Sequence, residues 1–363
     1  MSEALPEATE VRAVARGIAT AVAPESGLTD VQASLLHSVT LGVTGESVDY
    51  HDLEPLDAEG LADVLRERGI EYRCRIVHHM VLGELVLSPL PAEVADRIAA
   101  TAQVLGVDDD FVALARRYAE GTLGLAWCDL RRNGFTQHWD EHTTDPLHTK
   151  AEYADPFDAG MAEPELAEKW GRFAHLQSGS LGRGVWEMYT TRGFDPPGTL
   201  GGAAPYLAQH DFVHVLADYG TNIEGEVETF SLIGRADPDP KGFAWLATVI
   251  GLFETGYVHQ QGALEMDLTT RNRLQQPGMT TRLADAIRRG KAAAEGHGID
   301  LLAIDYHEIA DQPINDLRAE LHIVPKSPEA LGAGSPGLFE PAGMSPTQRK
   351  ALRTVVNRGT IVQ

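Results

Sequence analysis

His210 and His214 stand four residues apart in the stretch from Ala208 to Phe230, AQHDFVHVLADYGTNIEGEVETF. On a helix that spacing stacks two imidazoles on one face, one turn apart, which lets both rings reach a single metal ion. Asp211 adjoins the first histidine. Gly220 is expected to end the helix, with Thr221 and Asn222 forming a turn. Gly225 and Glu226 open the next helical run, which could bring Glu226 back toward the histidines. The set offers two imidazole nitrogens and two carboxylate oxygens. Imidazole suits zinc and iron, and carboxylates widen the choice toward iron or manganese, so ligand type leaves zinc and ferrous iron both open. His210 and Asp211 are adjacent and need not both reach one ion. If one stays outside the shell, a coordination position opens for water or substrate. Histidines at this spacing are more often ordinary helix residues than ligands, so the pair needs support from the rest of the chain.

The elements that must position these residues read as helical. Leu35, Leu36, Val39 and Val43 repeat at helical spacing, as do Ile76, Met80 and Leu87. Ser88-Pro89-Leu90-Pro91 ends one helix and Ala92 begins another, while Asp108, Asp109 and Asp110 form an acidic start before Phe111. The expected fold class is all-α with two helical domains, the C-terminal one a metal-binding helical bundle. Residues 1–24, with Pro6 and Pro24 and no clear period, are expected to be a mobile leader, and residues 25–135 an N-terminal helical domain of unknown role. Gly134, Thr143, Thr144, Pro146 and Pro156 mark a linker over 136–162. The second domain spans 163–326 and opens with a helix whose first turn carries Pro164. Residues 327–363, rich in Pro and Gly at their start, are expected to be a loose tail.

The pattern His-Asp-x-x-His, then eleven residues and Glu, resembles the signature of the ubiquinone (coenzyme Q) biosynthesis protein four family. Thr221-Asn222 and Gly225-Glu226 fit the same signature. Upstream, Ser178-Gly179-Ser180-Leu181-Gly182-Arg183 resembles the family's small-residue and Leu-Gly-Arg segment. Downstream, Ala284 to Lys291 and Ile314 to Leu321 resemble its two C-terminal helices. The resemblance covers Glu163 to Pro325, about half the chain. It implies a helical fold and one divalent metal, zinc or iron, on His210, Asp211, His214 and Glu226, with a prenylated aromatic lipid or isoprenoid close by. The implied activity is oxidative removal of the C1 carboxyl from a polyprenyl hydroxybenzoate-like precursor. The alternative is a non-catalytic prenyl-lipid scaffold with a structural metal that organises other quinone-biosynthesis enzymes. Asp218 and Tyr219 depart from the family, which usually has small or apolar residues there, and the N-terminal helical domain is foreign to its short form.

Arg183 is read either as a salt-bridge residue or as a planar fork for an acidic head group, and the resemblance favours the second. The run from Phe243 to Val258 is apolar on most sides, which marks a core helix or, in a prenyl-binding protein, the wall of an isoprenoid tunnel to which Leu252 and Phe253 would belong. His138-Trp139-Asp140-Glu141-His142 with His148 reads as a solvated polar loop rather than a second metal site, and His78 and His79 read as core or boundary histidines.

Composition narrows the partners. The formal net charge of -23 opposes binding to phosphate backbones, so no nucleic acid is expected, and lipid contact would have to be apolar or use a local basic patch. Cys74 and Cys128 make no disulfide framework, and no secretion signal is visible, which points to the cytoplasm, with peripheral contact at the inner face of the membrane as a further expectation. A homodimer is also compatible with the sequence. Neither a Walker-type nor a dinucleotide-binding glycine loop is present, which weighs against nucleotide enzymes.

Overall fold

The computed structural model describes residues 6–87, 91–108, 112, 162–200, 202, 208–237, 246, 250, 273–297 and 300–357. Among these the protein is all-α, with 13 α-helices, two short 3-10 turns and no strand. The only pairing of extended backbone among them is an isolated antiparallel bridge between Ser180 and Pro313.

The N-terminal part contains α1 (Ala8–Val22), α2 (Asp30–Thr44), α3 (Ala58–Val64), α4 (Ile70–Leu85) and α5 (Ala92–Val104). The expected leader is in fact mostly α1. Its Val11, Val14, Ala15, Ile18, Ala21 and Val22 fall on one face at helical spacing and are buried. The amphipathic period is strong in the sequence itself, and Pro6 and Pro24 bound the helix rather than break it. Helix α2 starts with a capping box, in which the Thr29 hydroxyl accepts from the Gln32 N–H and the Gln32 side chain accepts from the Thr29 N–H. Gln32 is wholly buried because its amide also donates to the carbonyls of Val22 and Gly83, tying α1, α2 and α4 together. His78 and His79 are buried on α4, and burial, followed by the neighbouring charges of His78, Arg235 and Arg75, lowers His79 to about 3, so it stays neutral.

The remaining helices are α6 (Pro164–Gly171), α7 (Leu181–Arg192), α8 (Gln209–Ala217), α9 (Ile223–Ala236), α10 (Met279–His297), α11 (Ile314–Glu320), α12 (Pro328–Gly332) and α13 (Pro346–Asn357). Helix α10 lies against both α9 and α2. At the α2 crossing, a Cβ on Gly42 would stand 2.6 Å from the Ala284 carbonyl oxygen, so glycine is what lets the two backbones approach. Helices on either side of the inferred linker therefore share one hydrophobic core. Residues 136–161 of the linker, with the His138–His148 segment, Cys128 and the Asp109–Phe111 helix start, lie outside the described residues. No helix among the described residues is long and apolar enough to cross a membrane.

The expected loose tail is a second correction. Ser327 caps α12, Leu338 is 1% exposed, and α13 packs on α7. Its prolines start helices at their first turn instead of disrupting structure, as at Pro328 and Pro341.

Glu84 on α4 is fully buried, and neither of its carboxylate oxygens makes a hydrogen bond. Burial pushes its carboxyl up to about 8. The folded protein therefore holds this proton in a pH range where the unfolded chain has released it. The favourable term is complete below the unfolded value near 4.5 and is lost as pH rises toward 8, at about 1.4 kcal/mol per pH unit in between. Wild-type melting temperature should therefore fall between pH 5 and 8 by more than that of Glu84→Gln. Parallel pH profiles for the two proteins in thermal melts would refute the assignment.

Candidate metal centre

The site is built on a helical hairpin. Helix α8 ends at Ala217, and its C-cap is Asp218 in the left-handed region at φ 57°, two residues before the glycine expected to stop it. That conformation disfavours L-residues, but Asp218 is held there by its Oδ1, which accepts the Leu338 N–H at 2.8 Å. Gly220 serves a different purpose: a Cβ there would lie 2.5 Å from the Gly343 Cα. The Gly343 carbonyl then accepts from the N–H groups of Thr221 and Asn222, at 2.8 and 3.1 Å. The Asn222 side chain caps α9 by accepting the Gly225 N–H at 3.0 Å. Helix α9 thus returns at once alongside α8.

This return places Glu226 against both histidines. Its Oε2 is 3.2 Å from His214 Nε2 and 3.5 Å from His210 Nε2, and Asp211 Oδ1 is 3.6 Å from His210 Nε2. One ligand atom each from His210, Asp211 and His214 lies within 4.8 Å of the others, and this group could hold a metal ion. Ligand atoms at ordinary zinc distances around a tetrahedral centre stand about 3.3 Å apart, and the three contacts of 3.2, 3.5 and 3.6 Å are close to that. The adjacent His210 and Asp211 therefore both turn toward the same point.

The remaining atoms of these side chains are held as metal ligands require. Thr229 Oγ1 lies 3.1 Å from His214 Nδ1, so that nitrogen can donate to the hydroxyl and leave Nε2 as a lone-pair donor. The Tyr189 hydroxyl donates to Asp211 Oδ2 at 2.6 Å, leaving Oδ1 for the centre. Burial, and then the Asp211 charge, raise Tyr189 well above its ordinary value, so it remains a neutral donor. His210 stacks on Phe230 at 5.2 Å between ring centroids. His214 is wholly buried, whereas His210 and Glu226 keep a narrow exposed edge through which a small molecule could approach.

Burial would raise the Glu226 carboxyl, but the charges and hydrogen bonds of His214 and His210 outweigh it and hold Glu226 well below the usual carboxylate range. Arg192 on α7 is a buried cation in the same field. Burial lowers it to about 10, opposed by Asp211 and Glu226. Its Nε donates to Thr221 Oγ1 at 2.6 Å, and it also donates to the Leu338 carbonyl, so one side chain links the hairpin turn to the C-terminal segment.

Tyr189, Arg192 and Thr229 were not among the expected site residues. Thr229 had a usable signal, since it lies three residues after Glu226 and so on the same helical face. Tyr189 and Arg192 come from a helix remote in sequence, and no local spacing marks them. Arg183, one helix face away on α7, binds Glu187 at 2.8 Å and the Ala174 carbonyl, and lies 4.4 Å over the Trp186 ring. Its fork is occupied by these local partners. Leu252 and Phe253 lie outside the described residues; of their segment, Leu246 and Ile250 are buried.

No family model, curated protein or solved structure was found to match the chain. The family resemblance therefore rests on the motif residues themselves.

If Tyr189 and Thr229 orient ligands, Tyr189→Phe and Thr229→Val should each weaken zinc binding about ten-fold with the fold retained. Competition with a chromogenic chelator reads the affinity, and wild-type values in both variants would remove the orienting role.

Proposed function

We propose that the chain is a metal-dependent protein of prenylated quinone biosynthesis that removes the C1 carboxyl of a polyprenyl hydroxybenzoate-like precursor oxidatively. The observation that carries the reading is the convergence of Glu226 Oε2 on the Nε2 atoms of both His210 and His214. Its support is the motif resemblance around those residues, together with the oriented outer atoms of Asp211 and His214. A bound zinc or iron would supply Lewis-acid polarisation of the head group, and iron would add redox capacity.

The bond from C1 to the carboxyl breaks and the carboxyl leaves as carbon dioxide, while one atom of dioxygen becomes the new C1 hydroxyl. The other oxygen atom leaves as water, using two electrons and two protons from an external reductant. Glu226 and Asp211 hold the negative charge that anchors the centre, Tyr189 and Thr229 fix ligand orientation, and Phe230 shields one side of His210. The exposed edge at His210 and Glu226 is where the head group would enter.

His210→Ala or His214→Ala should lower metal content well below one per chain, and Glu226→Gln should keep the fold while weakening the metal. Elemental analysis of the purified variants reads this directly, and full occupancy in all three would sink the site. The rival reading is a lipid-presenting scaffold with a structural metal. It is distinguished by turnover: inert zinc with co-purifying lipid and no product would favour the scaffold.

Both readings require a prenyl tail to be bound. Each buried methylene contributes about 0.8 kcal/mol, so affinity in a tail-length series should climb and then level off, with chain ordering reducing the slope. Calorimetric titration tests this. Equal affinity for tailed and untailed head groups in stable wild-type protein would be fatal to the prenyl part of the proposal.

A further inference from the structure

Beyond the C-terminal end of α8, away from the imidazoles, lies a cavity of about 610 Å³ between α10, α11 and the segment leading into α12. Arg289, Arg318, Lys326 and His322 contribute to its wall, and Asp218 is the one acid there. Three permanent cations therefore meet one carboxylate, in a chain whose formal net charge is -23. Such a reversal of sign in a concave, partly desolvated place focuses potential on an anion.

The cations are partly structural. Arg318 donates to the carbonyls of Leu216 and Val215, at 2.7 and 3.2 Å, and Arg289 donates to the carbonyls of Ala217 and Val324, at 2.9 and 2.7 Å. Together they cap the last turn of the histidine helix. Carbonyl dipoles orient these groups but do not neutralise them. Arg289 is 3% exposed, lies 4.7 Å over the Tyr219 ring, and pulls on the Tyr219 hydroxyl. Even so, neither its Nη1 nor that hydroxyl forms a well-aligned hydrogen bond. Lys326 donates one of its three ammonium hydrogens to the Pro336 carbonyl at 2.6 Å. Burial lowers both Lys326 and Arg318, with Asp218 opposing in each case, so the wall holds charge at a desolvation cost that a bound anion would offset. Deeper in, Glu228 Oε2 accepts from Arg282 at 2.5 Å, and the Glu228 charge, like that of Asp218, still acts on Lys326.

The cavity is far larger than an inorganic ion requires and falls in the range of small-molecule sites. Away from the cations its wall is apolar, made by Ile323, Pro325 and Leu331, and Leu331 is 56% exposed. We propose that this cavity binds a small organic carboxylate, with its head against Arg318 and Lys326 and its apolar body along Leu331. The site is separate from the metal centre and does not depend on the reaction proposed there.

Titration calorimetry on the full chain tests this with three probes: 1-naphthoate, its neutral isostere 1-naphthamide, and inorganic phosphate. Naphthoate should bind at least about ten-fold more tightly than either of the others, because only it satisfies both the charged and the apolar wall. Lys326→Gln should weaken naphthoate, but that change also removes the bond to Pro336 and could disturb folding. The exposed position Leu331 keeps the test decisive: Leu331→Asp should weaken naphthoate about ten-fold, while Leu331→Lys should not. Equal binding of the amide would overturn the charge recognition, and equal binding of phosphate would overturn the apolar half. Unchanged naphthoate affinity in Leu331→Asp would place the ligand elsewhere and overturn the site.

Discussion

The candidate ligands depend on the chain reversing between Ala217 and Ile223 tightly enough for a carboxylate on one helix to meet two imidazoles on the other. A left-handed residue at Asp218 costs roughly 1–2 kcal/mol, and its hydrogen bond to the Leu338 N–H helps to offset that. The backbone contact between Gly220 and Gly343 then brings the C-terminal segment in so closely that one carbonyl serves two turn N–H groups. Gln348 adds bonds to both the hydroxyl and the carbonyl of Thr221. The turn is therefore not a free hairpin. It is clamped by residues more than a hundred positions further along, and the geometry of Glu226 inherits that clamp.

This dependence explains what could be read from the sequence. The all-helical class follows from local periods such as Leu35, Leu36 and Val39, which need no distant partner to be recognised. The grouping of His210, His214 and Glu226 was legible for the same reason, because one helical turn and one short connection fix it. The stop at Asp218 was not legible. A glycine two residues later is the better local signal, and only the distant Leu338 N–H favours the aspartate. The C-terminal segment was misread for a related reason: its prolines and glycines are loop-like locally, yet Gly343 is required where two backbones meet and Pro328 starts a helix. Helix α1 was legible too, since Val11, Val14, Ala15, Ile18, Ala21 and Val22 repeat at helical spacing and Pro6 and Pro24 only bound the helix.

Tyr189 and Arg192 show a different limit. Both lie on α7, three residues apart and so on neighbouring positions of one face, and that face is turned toward α8 by packing alone. One binds the outer oxygen of Asp211, and the other anchors the turn. Long-range partners of this kind carry no local spacing that a single sequence can reveal.

Helix α8 has opposite electrostatic demands at its two ends, and the surrounding residues meet both. Its N-terminal half carries the positive end of the helix dipole, and Asp211 stands in its first turn. Its C-terminal carbonyls face Arg318 and Arg289. Arg192 reaches the turn that follows α8, and there burial lowers it to about 10 while Asp211 and Glu226 oppose that shift. Two carboxylates and one buried guanidinium therefore share the space around the two imidazoles. Arg192 thereby ties the turn it anchors to the field of Asp211 and Glu226.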